Sequence, residues 1–216
     1  MCTYKAEKTN KIVKLFCHQV HDLRIVRHIY KELFEAEDSY SLMEKIAPSF
    51  FTHLNTVLQN YLLLEFAKIS DPEKSFGNEN FTVDNLIFSI DWPQDIKDRL
   101  AAQNNIIKNF RNYIKNARNK LLAHSDKETF LAQKQLGEFP KGKDEDFLKA
   151  LEEICNIAHE ACFGIIYGSM VVVQAGDVIS FKKKLLNGLA FDKLLEKSDK
   201  KQKLNMYSVL DEVRKS

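Results

Sequence analysis

Hydrophobic residues recur at helical spacing through most of this chain, with polar positions between them. From Tyr4 to about Ala36 they follow one another at intervals of three, four and seven, which predicts a long first helix. Ser39 to Ile69 predicts a second helix kinked at Pro48, because proline lacks the amide donor that a helix interior uses. No segment alternates with the period of two that is typical of a strand, so the pattern predicts an all-α fold.

Capping and turn residues divide the rest of the chain. Thr82 has the side chain of a helix N-cap, and Pro93 suits the first turn of a helix, where its missing amide donor costs nothing. The further predicted elements are a loop over 70–80, a short helix from Thr82 to Ile90, a helix from Pro93 to about His124, a polar connection over 125–144 and a helix from Asp144 to about Gln174.

The character of the sequence changes after Gly176, where lysine runs alternate with short apolar groups. We therefore predict two parts: a helical bundle over residues 1–176 and a Lys-rich tail over 177–216. The tail is expected to be helical or partly mobile. Four to five main helices would make up the bundle.

Composition excludes several classes of protein. The hydrophobic content of 44% and charged content of 29% are those of ordinary soluble globular domains, and the net charge of +2 does not by itself indicate a nucleic-acid partner. The stretch from Met1 to Lys14 is polar, so no secretory signal is expected. Segment 161–175 is too short for a comfortable membrane span. Cys155 and Cys162 lie in an apolar periodic run, which favours buried thiols in a reduced, cytoplasmic protein.

One helix face concentrates positive charge. Eight Lys or Arg against two Asp lie between Lys97 and Lys127. Three of them, Lys108, Arg111 and Lys115, fall with Arg118 on one stripe of a helical wheel. Such a stripe suits a phosphate backbone, although most charged stripes are simply solvated. The predicted RNA-binding residues are Lys108, Arg111, Lys115 and Lys120.

The most informative segment ends that helix: Ala117-Arg118-Asn119-Lys120-Leu121-Leu122-Ala123-His124-Ser125-Asp126. Arginine offers a planar fork of donors to a phosphodiester, and histidine moves a proton near neutral pH without a metal. On one ideal helix Arg118 and His124 point about 120° apart and lie about 9 Å apart along the axis. One chain therefore cannot easily place both on one phosphate, whereas two chains crossing near a two-fold axis can.

Arg118 to His124 resembles the signature of the HEPN superfamily: Arg, a polar residue, four variable residues and His. Ser125-Asp126 resembles its abortive-infection (phage-exclusion) subgroup, and two further segments are similar to that subgroup: Leu64-Glu65-Phe66-Ala67-Lys68-Ile69-Ser70-Asp71-Pro72 and Thr82-Val83-Asp84-Asn85-Leu86. The resemblance covers roughly residues 10–175.

The resemblance implies an up-and-down helical bundle that forms a homodimer and acts as a metal-independent endoribonuclease. Arg118 would hold the scissile phosphate, and His124 would act as base or acid in attack by the RNA 2′-hydroxyl, leaving a 2′,3′-cyclic phosphate. Asn119 would orient the phosphate or the histidine. Asp126 would fix the histidine tautomer or cap the helix end. No cofactor is needed, and host defence or a toxin–antitoxin pair, with an antitoxin or regulatory protein as partner, is the implied setting.

The sequence also allows interpretations other than a nuclease. A non-catalytic RNA- or partner-binding module would use the basic stripe and keep His124 as a packing residue. Cys17, His21 and His28 share a helix face, but His21 and His28 are about 10.5 Å apart along it, too far for one ion without another element, so we assign no metal site. The chain has no Gly-rich phosphate loop, no Gly-x-Ser-x-Gly elbow and no zinc ribbon.

Overall fold

A computed structural model describes residues 2–75, 77–117, 142–168 and 177–215 of the chain. Its helices are α1 (Cys2–Tyr30), α2 (Ser39–Ile46), α3 (Pro48–Ser70), α4 (Val83–Phe88), α5 (Gln94–Ala117), α6 (Lys143–Phe163), α7 (Val178–Lys197) and α8 (Lys200–Lys215). A π-helical turn, Lys31–Glu35, follows α1. The prediction of an all-α fold is confirmed.

The predicted loop after α3 contains the strands found in the described part of the chain. The two strands, β1 (Lys74–Ser75) and β2 (Asn78–Glu79), pair antiparallel with Lys74 opposite Glu79. Gly77 turns the chain between them at a φ of 83°, a left-handed conformation that glycine adopts without steric cost. These strands are too short to form a layer of the fold.

Thr82 and Pro48 each mark the start of a helix. The amide of Asn85 donates to Thr82 Oγ1 at 3.3 Å, so Thr82 is the N-cap of α4 as expected, although α4 ends at Phe88 rather than Ile90. The predicted kink at Pro48 is instead a complete break. Ala47 leaves helical geometry with φ −157° and ψ 74°, and Pro48 begins α3. Proline favours a first turn because no partner for its missing amide hydrogen is needed there.

The prediction that one helix runs from Asp144 to about Gln174 is wrong at its end. Helix α6 ends at Phe163 because Gly164 adopts φ 72° and ψ 7°, and its amide donates to the carbonyl of Glu160 at 2.8 Å. Ile165, which lies within the predicted helix, comes after this stop and is 64% exposed. A left-handed glycine just past the last helical residue is a common helix stop.

The chain groups into two compact units. The first contains Met1–His28 and Thr56–Val171, and the second contains Ile29–Asn55 and Val172–Ser216. The division predicted from the sequence, a helical bundle over 1–176 and a Lys-rich tail over 177–216, stays a prediction. Most of the tail, 178–197 and 200–215, is helical.

The first unit is built around aromatic side chains from three helices. The rings of Phe110 and Phe147 lie 4.5 Å apart between centroids, and Phe66 packs edge-on against Phe147 at 5.1 Å. Helix α1 runs antiparallel to α6: Arg24 pairs with Glu152 near the middle of α6, and further along α1 the buried Arg27 donates to Asp144 at its start. Other buried residues of this unit include Phe16, Leu100, Ile107, Ile114, Leu151 and Ile154.

The second unit has a smaller core. Its buried residues are Leu33, Leu42, Met43, Phe51 and Val178, with Leu185 and Leu189 of α7 packed against them. Asp177 caps α7 by accepting from the amide of Ser180 at 2.9 Å. Lys182 lies 3.4 Å from Asp38 and 3.9 Å from Glu32, which attaches the first turns of α7 by charge as well as by apolar contact.

Candidate functional site

The signature residues follow directly on a long helix. Ala117 is the last described residue of α5, so the predicted catalytic residues Arg118, Asn119, His124 and Asp126, and the predicted RNA-binding Lys120, lie outside the described residues. The structure instead shows how the helix that leads to them is held in place.

Arg111 attaches α5 to the end of α3. Its Nη1 donates to the carbonyl oxygen of Ser70 at 3.1 Å, and the arginine is half-buried. Ser70 is the last residue of α3, where helix carbonyls have no partner within the helix and the negative end of the helix dipole attracts a cation. A residue predicted from the basic stripe to bind RNA therefore makes a structural contact within the protein.

Asp84 attaches α5 to the start of α4. Asn104 Nδ2 donates to Asp84 Oδ1 at 2.7 Å, and Lys108 Nζ lies 3.5 Å from the same oxygen. Asn104 is 3% exposed and the Asp84 side chain 13%, so this interaction is shielded from water. Asp84 also lies in the first turn of α4, where a carboxylate is favoured by the helix dipole.

These contacts give the two further family-like segments a common role. Ser70 belongs to the segment Leu64–Pro72 and Asp84 to the segment Thr82–Leu86, and both contact the helix that precedes the signature. Neither segment was predicted to touch α5, because contacts between residues distant in sequence leave no periodic pattern.

The described members of the basic stripe differ in their availability to a ligand. Lys115 is exposed. Lys108 contacts both Asp84 and the ring of Phe88, and its Nζ lies 5.5 Å from the ring centroid. The Lys108 side chain remains 41% exposed. Among the described members of the stripe, Arg111 is bonded to Ser70, which leaves Lys115 and the outer side of Lys108 facing solvent.

A groove of about 790 Å³ lies between α5 and α6, next to the end of α5. From here on it is called the α5–α6 groove. Phe110 and Ala150 form its buried base, while Ile106 and Tyr113 are 39% and 41% exposed there. The rest of its lining is polar: Gln103, Asn109, Asn112, Lys143, Asp146, Lys149 and Glu153.

Two of the four charged residues that line this groove, Lys143 and Asp146, form an ion pair. Lys143 Nζ lies 2.9 Å from Asp146 Oδ2. The hydrogen bond to Asp146 raises the pKa of Lys143, and the same contact lowers the pKa of Asp146. The sequence pattern did not predict this groove. The sequence feature that could have indicated it is the pair of side-chain amides, Asn109 and Asn112, which come just before Tyr113 in α5.

Thiols and metal ligands do not point to a second site. Cys17 and Cys155 are buried between α1 and α6, and the contact with Cys17 together with burial raises the pKa of the Cys155 thiol well above its usual value. Cys162, predicted to be buried, is only half-buried. Among the described residues, no group of three or more His, Cys, Asp or Glu side chains is arranged to hold a metal ion. No described helix is long and apolar enough to span a bilayer.

Comparison with known families assigns the chain. A family model of HEPN type, described as AbiU2, matches residues 6–178. The chain belongs to this HEPN family. The matched region includes the signature, both further segments and all residues of the α5–α6 groove. No curated protein and no solved structure matches the chain.

Proposed function

We propose that this HEPN protein is a metal-independent endoribonuclease of host defence. One observation carries the proposal: the Arg118–His124 signature lies within the match to the AbiU2 HEPN family, and Ser125-Asp126 after it resembles the abortive-infection subgroup. Cleavage of RNA in an infected cell, restrained by an antitoxin or regulatory protein, is the setting that this membership favours.

The proposed reaction uses only side chains of the chain. His124 takes the proton of an RNA 2′-hydroxyl, the 2′-oxygen bonds to the adjacent phosphorus, and the bond to the 5′-oxygen breaks. The leaving 5′-oxygen receives a proton from the protonated His124 of the other protomer, and the products are a 2′,3′-cyclic phosphate and a free 5′-hydroxyl. Arg118 binds the non-bridging oxygens as their charge increases, and Asn119 holds the phosphate or the imidazole in place. Asp126 fixes the tautomer of His124.

A homodimer supplies both groups in the required geometry. Because Arg118 and His124 would point about 120° apart on one ideal helix, the arginine of one protomer and the histidine of its partner are proposed to share a phosphate. The contacts of α5 with Ser70 and Asp84 support this arrangement, since they fix the helix end from which the signature starts. Catalytic geometry depends on such supporting contacts.

The primary experiment measures cleavage of a labelled RNA in excess EDTA by the wild-type protein, Arg118→Ala and His124→Ala. His53→Ala and Arg214→Ala, which change exposed residues of the same types, are the matched controls. We expect chelator-resistant cleavage with cyclic phosphate ends, lost in both signature variants and retained in both controls. A single 2′-deoxy nucleotide at the cleaved position should block the reaction without weakening binding.

Mixing the two inactive variants tests the composite site. A heterodimer of Arg118→Ala with His124→Ala retains one arginine and one histidine, so partial activity should return if they act across the interface. No recovery in a mixture shown to exchange subunits would contradict the shared site. Cleavage that requires a divalent ion, or that persists in His124→Ala, would contradict the proposed mechanism.

A further inference from the structure

We propose that the α5–α6 groove binds unpaired bases of a single-stranded RNA next to the cleaved phosphate. This inference rests on the proposed function and adds a substrate class and a binding site to it. The groove begins beside Tyr113, about 6 Å along the helix axis from Ala117, after which the signature starts.

The polar lining of the groove suits base edges. Asn109 and Asn112 are exposed on α5, and Gln103 is half-buried about 1.7 and 2.5 turns before them, respectively. A side-chain amide carries a donor and an acceptor side by side, which matches the edges of nucleobases better than it matches a phosphate. Three amides on one groove wall therefore indicate contact with bases.

The apolar part of the groove suits base faces. Tyr113 is 41% exposed and Ile106 39% exposed, and both line the groove beside the amides. An aromatic ring offers a stacking surface to any unpaired base, whereas bases within an RNA duplex are already stacked and their major groove is too narrow to enter. The groove volume of about 790 Å³ lies in the usual range of ligand pockets, about 300–1,000 Å³.

Charge separates the path of the bases from that of the backbone. Within the groove Lys143 and Lys149 are balanced by Asp146 and Glu153, so it is a poor channel for phosphates. The exposed Lys115 and the outer side of Lys108 lie about 40–60° around α5 from Asn112. The RNA backbone is thus placed along these lysines, with its bases directed past Asn112 into the groove.

The test measures binding by fluorescence anisotropy, using full-length His124→Ala protein and a labelled single-stranded RNA of mixed sequence. In this background Tyr113→Ala should weaken binding about 5- to 100-fold, Asn112→Ala by a few-fold, and Tyr113→Phe less than twofold because stacking is retained. Tyr40→Ala and Asn187→Ala, which change exposed residues of α2 and α7, are the matched controls and should not alter binding. Binding of a duplex of the same sequence should be unchanged in every variant.

Separate readouts distinguish this inference from the nuclease proposal. Asn112→Asp in the active protein should change which bases flank the cut, because a carboxylate cannot donate to a base. Unchanged binding and unchanged cut sites in Tyr113→Ala and Asn112→Ala would overturn the groove inference while cleavage itself stands. An inactive wild type whose RNA binding still depends on Tyr113 would overturn the nuclease and support the groove. Loss of the dimer in Tyr113→Ala, with RNA binding unchanged, would assign the groove to a protein contact and overturn the inference.

Discussion

Replacing Asp84 tests how α5 is held. In Asp84→Ala, the buried Asn104 loses the acceptor that it contacts at 2.7 Å, and Lys108 loses its ion pair. Hydrogen bonds to charged groups contribute about 1.5–3 kcal/mol, and a partly exposed ion pair contributes about 0–1 kcal/mol. Loss of a carboxylate from the first turn of α4 costs about 0.3–1 kcal/mol more. We expect the free energy of unfolding to fall by about 2–4 kcal/mol.

Two further variants divide this effect into its parts. Asp84→Asn keeps an acceptor for Asn104 but removes the charge, so its cost should be about half as large. In a double-mutant cycle, Asp84→Ala and Asn104→Ala should cost less together than the sum of the single changes, by about 1–2 kcal/mol. A variant of Lys108 alone, Lys108→Met, should change stability by less than about 1 kcal/mol.

Urea titration provides the measurement. Trp92, the single tryptophan of the chain, is 5% exposed, and its Nε1 donates to the carbonyl of Leu86 in α4 at 3.0 Å. Its fluorescence reports the surroundings of α4, while circular dichroism reports total helix content. Additive single changes at Asp84 and Asn104, or a cost below about 0.5 kcal/mol for Asp84→Ala, would refute the reasoning.

Three other predictions concern the ends and the core of α6. Gly164→Ala forces alanine into a left-handed conformation at φ 72° and should lower the free energy of unfolding by about 1–2 kcal/mol. Gly188→Ala, inside α7 with open space at its Cβ, should raise it by up to about 1 kcal/mol. Thermal melting compares the stabilities of the two variants. Arg27→Met removes the side chain whose Nε and Nη2 both donate to Oδ2 of the buried Asp144, and should cost about 3–5 kcal/mol in urea. Recovery in the double variant with Asp144→Leu would confirm the pair. Because Cys155 is buried and the pKa of its thiol is raised, it should resist iodoacetamide at pH 7.5 in the folded protein and react in urea. Peptide mass spectra measure the labelling. Rapid labelling of Cys155 in the native protein would contradict this expectation.

Much of the fold could be predicted from local patterns. Thr82 and Pro93 mark helix starts because their side chains act on backbone groups within one turn of themselves, and the structure confirms the N-cap at Thr82. The end of α6 could not be predicted from periodicity. Apolar residues continue at helical spacing beyond Phe163, and the sequence pattern did not show that Gly164 would adopt a left-handed conformation.

The site was less accessible to sequence reasoning than the fold. A helical wheel places Lys108 and Arg111 on one charged stripe, because it records the direction of a side chain and not what lies there. The structure shows that Ser70 and Asp84 approach this stripe from other helices. The groove between α5 and α6 likewise could not be predicted from one helix: Tyr113 lines this groove and is 41% exposed, because its exposure depends on how closely α6 packs against α5.

The sequence by itself determined the helical character of this protein and its HEPN signature, since both consist of residue types at short fixed spacings. Only the tertiary structure decided which cations of α5 face solvent and which contact other helices. It also formed the polar groove next to the last described turns of α5. Burial and charge pairing depend on what packs against a residue. Its partners here lie about 20 to 41 residues away along the chain, beyond the reach of any local pattern.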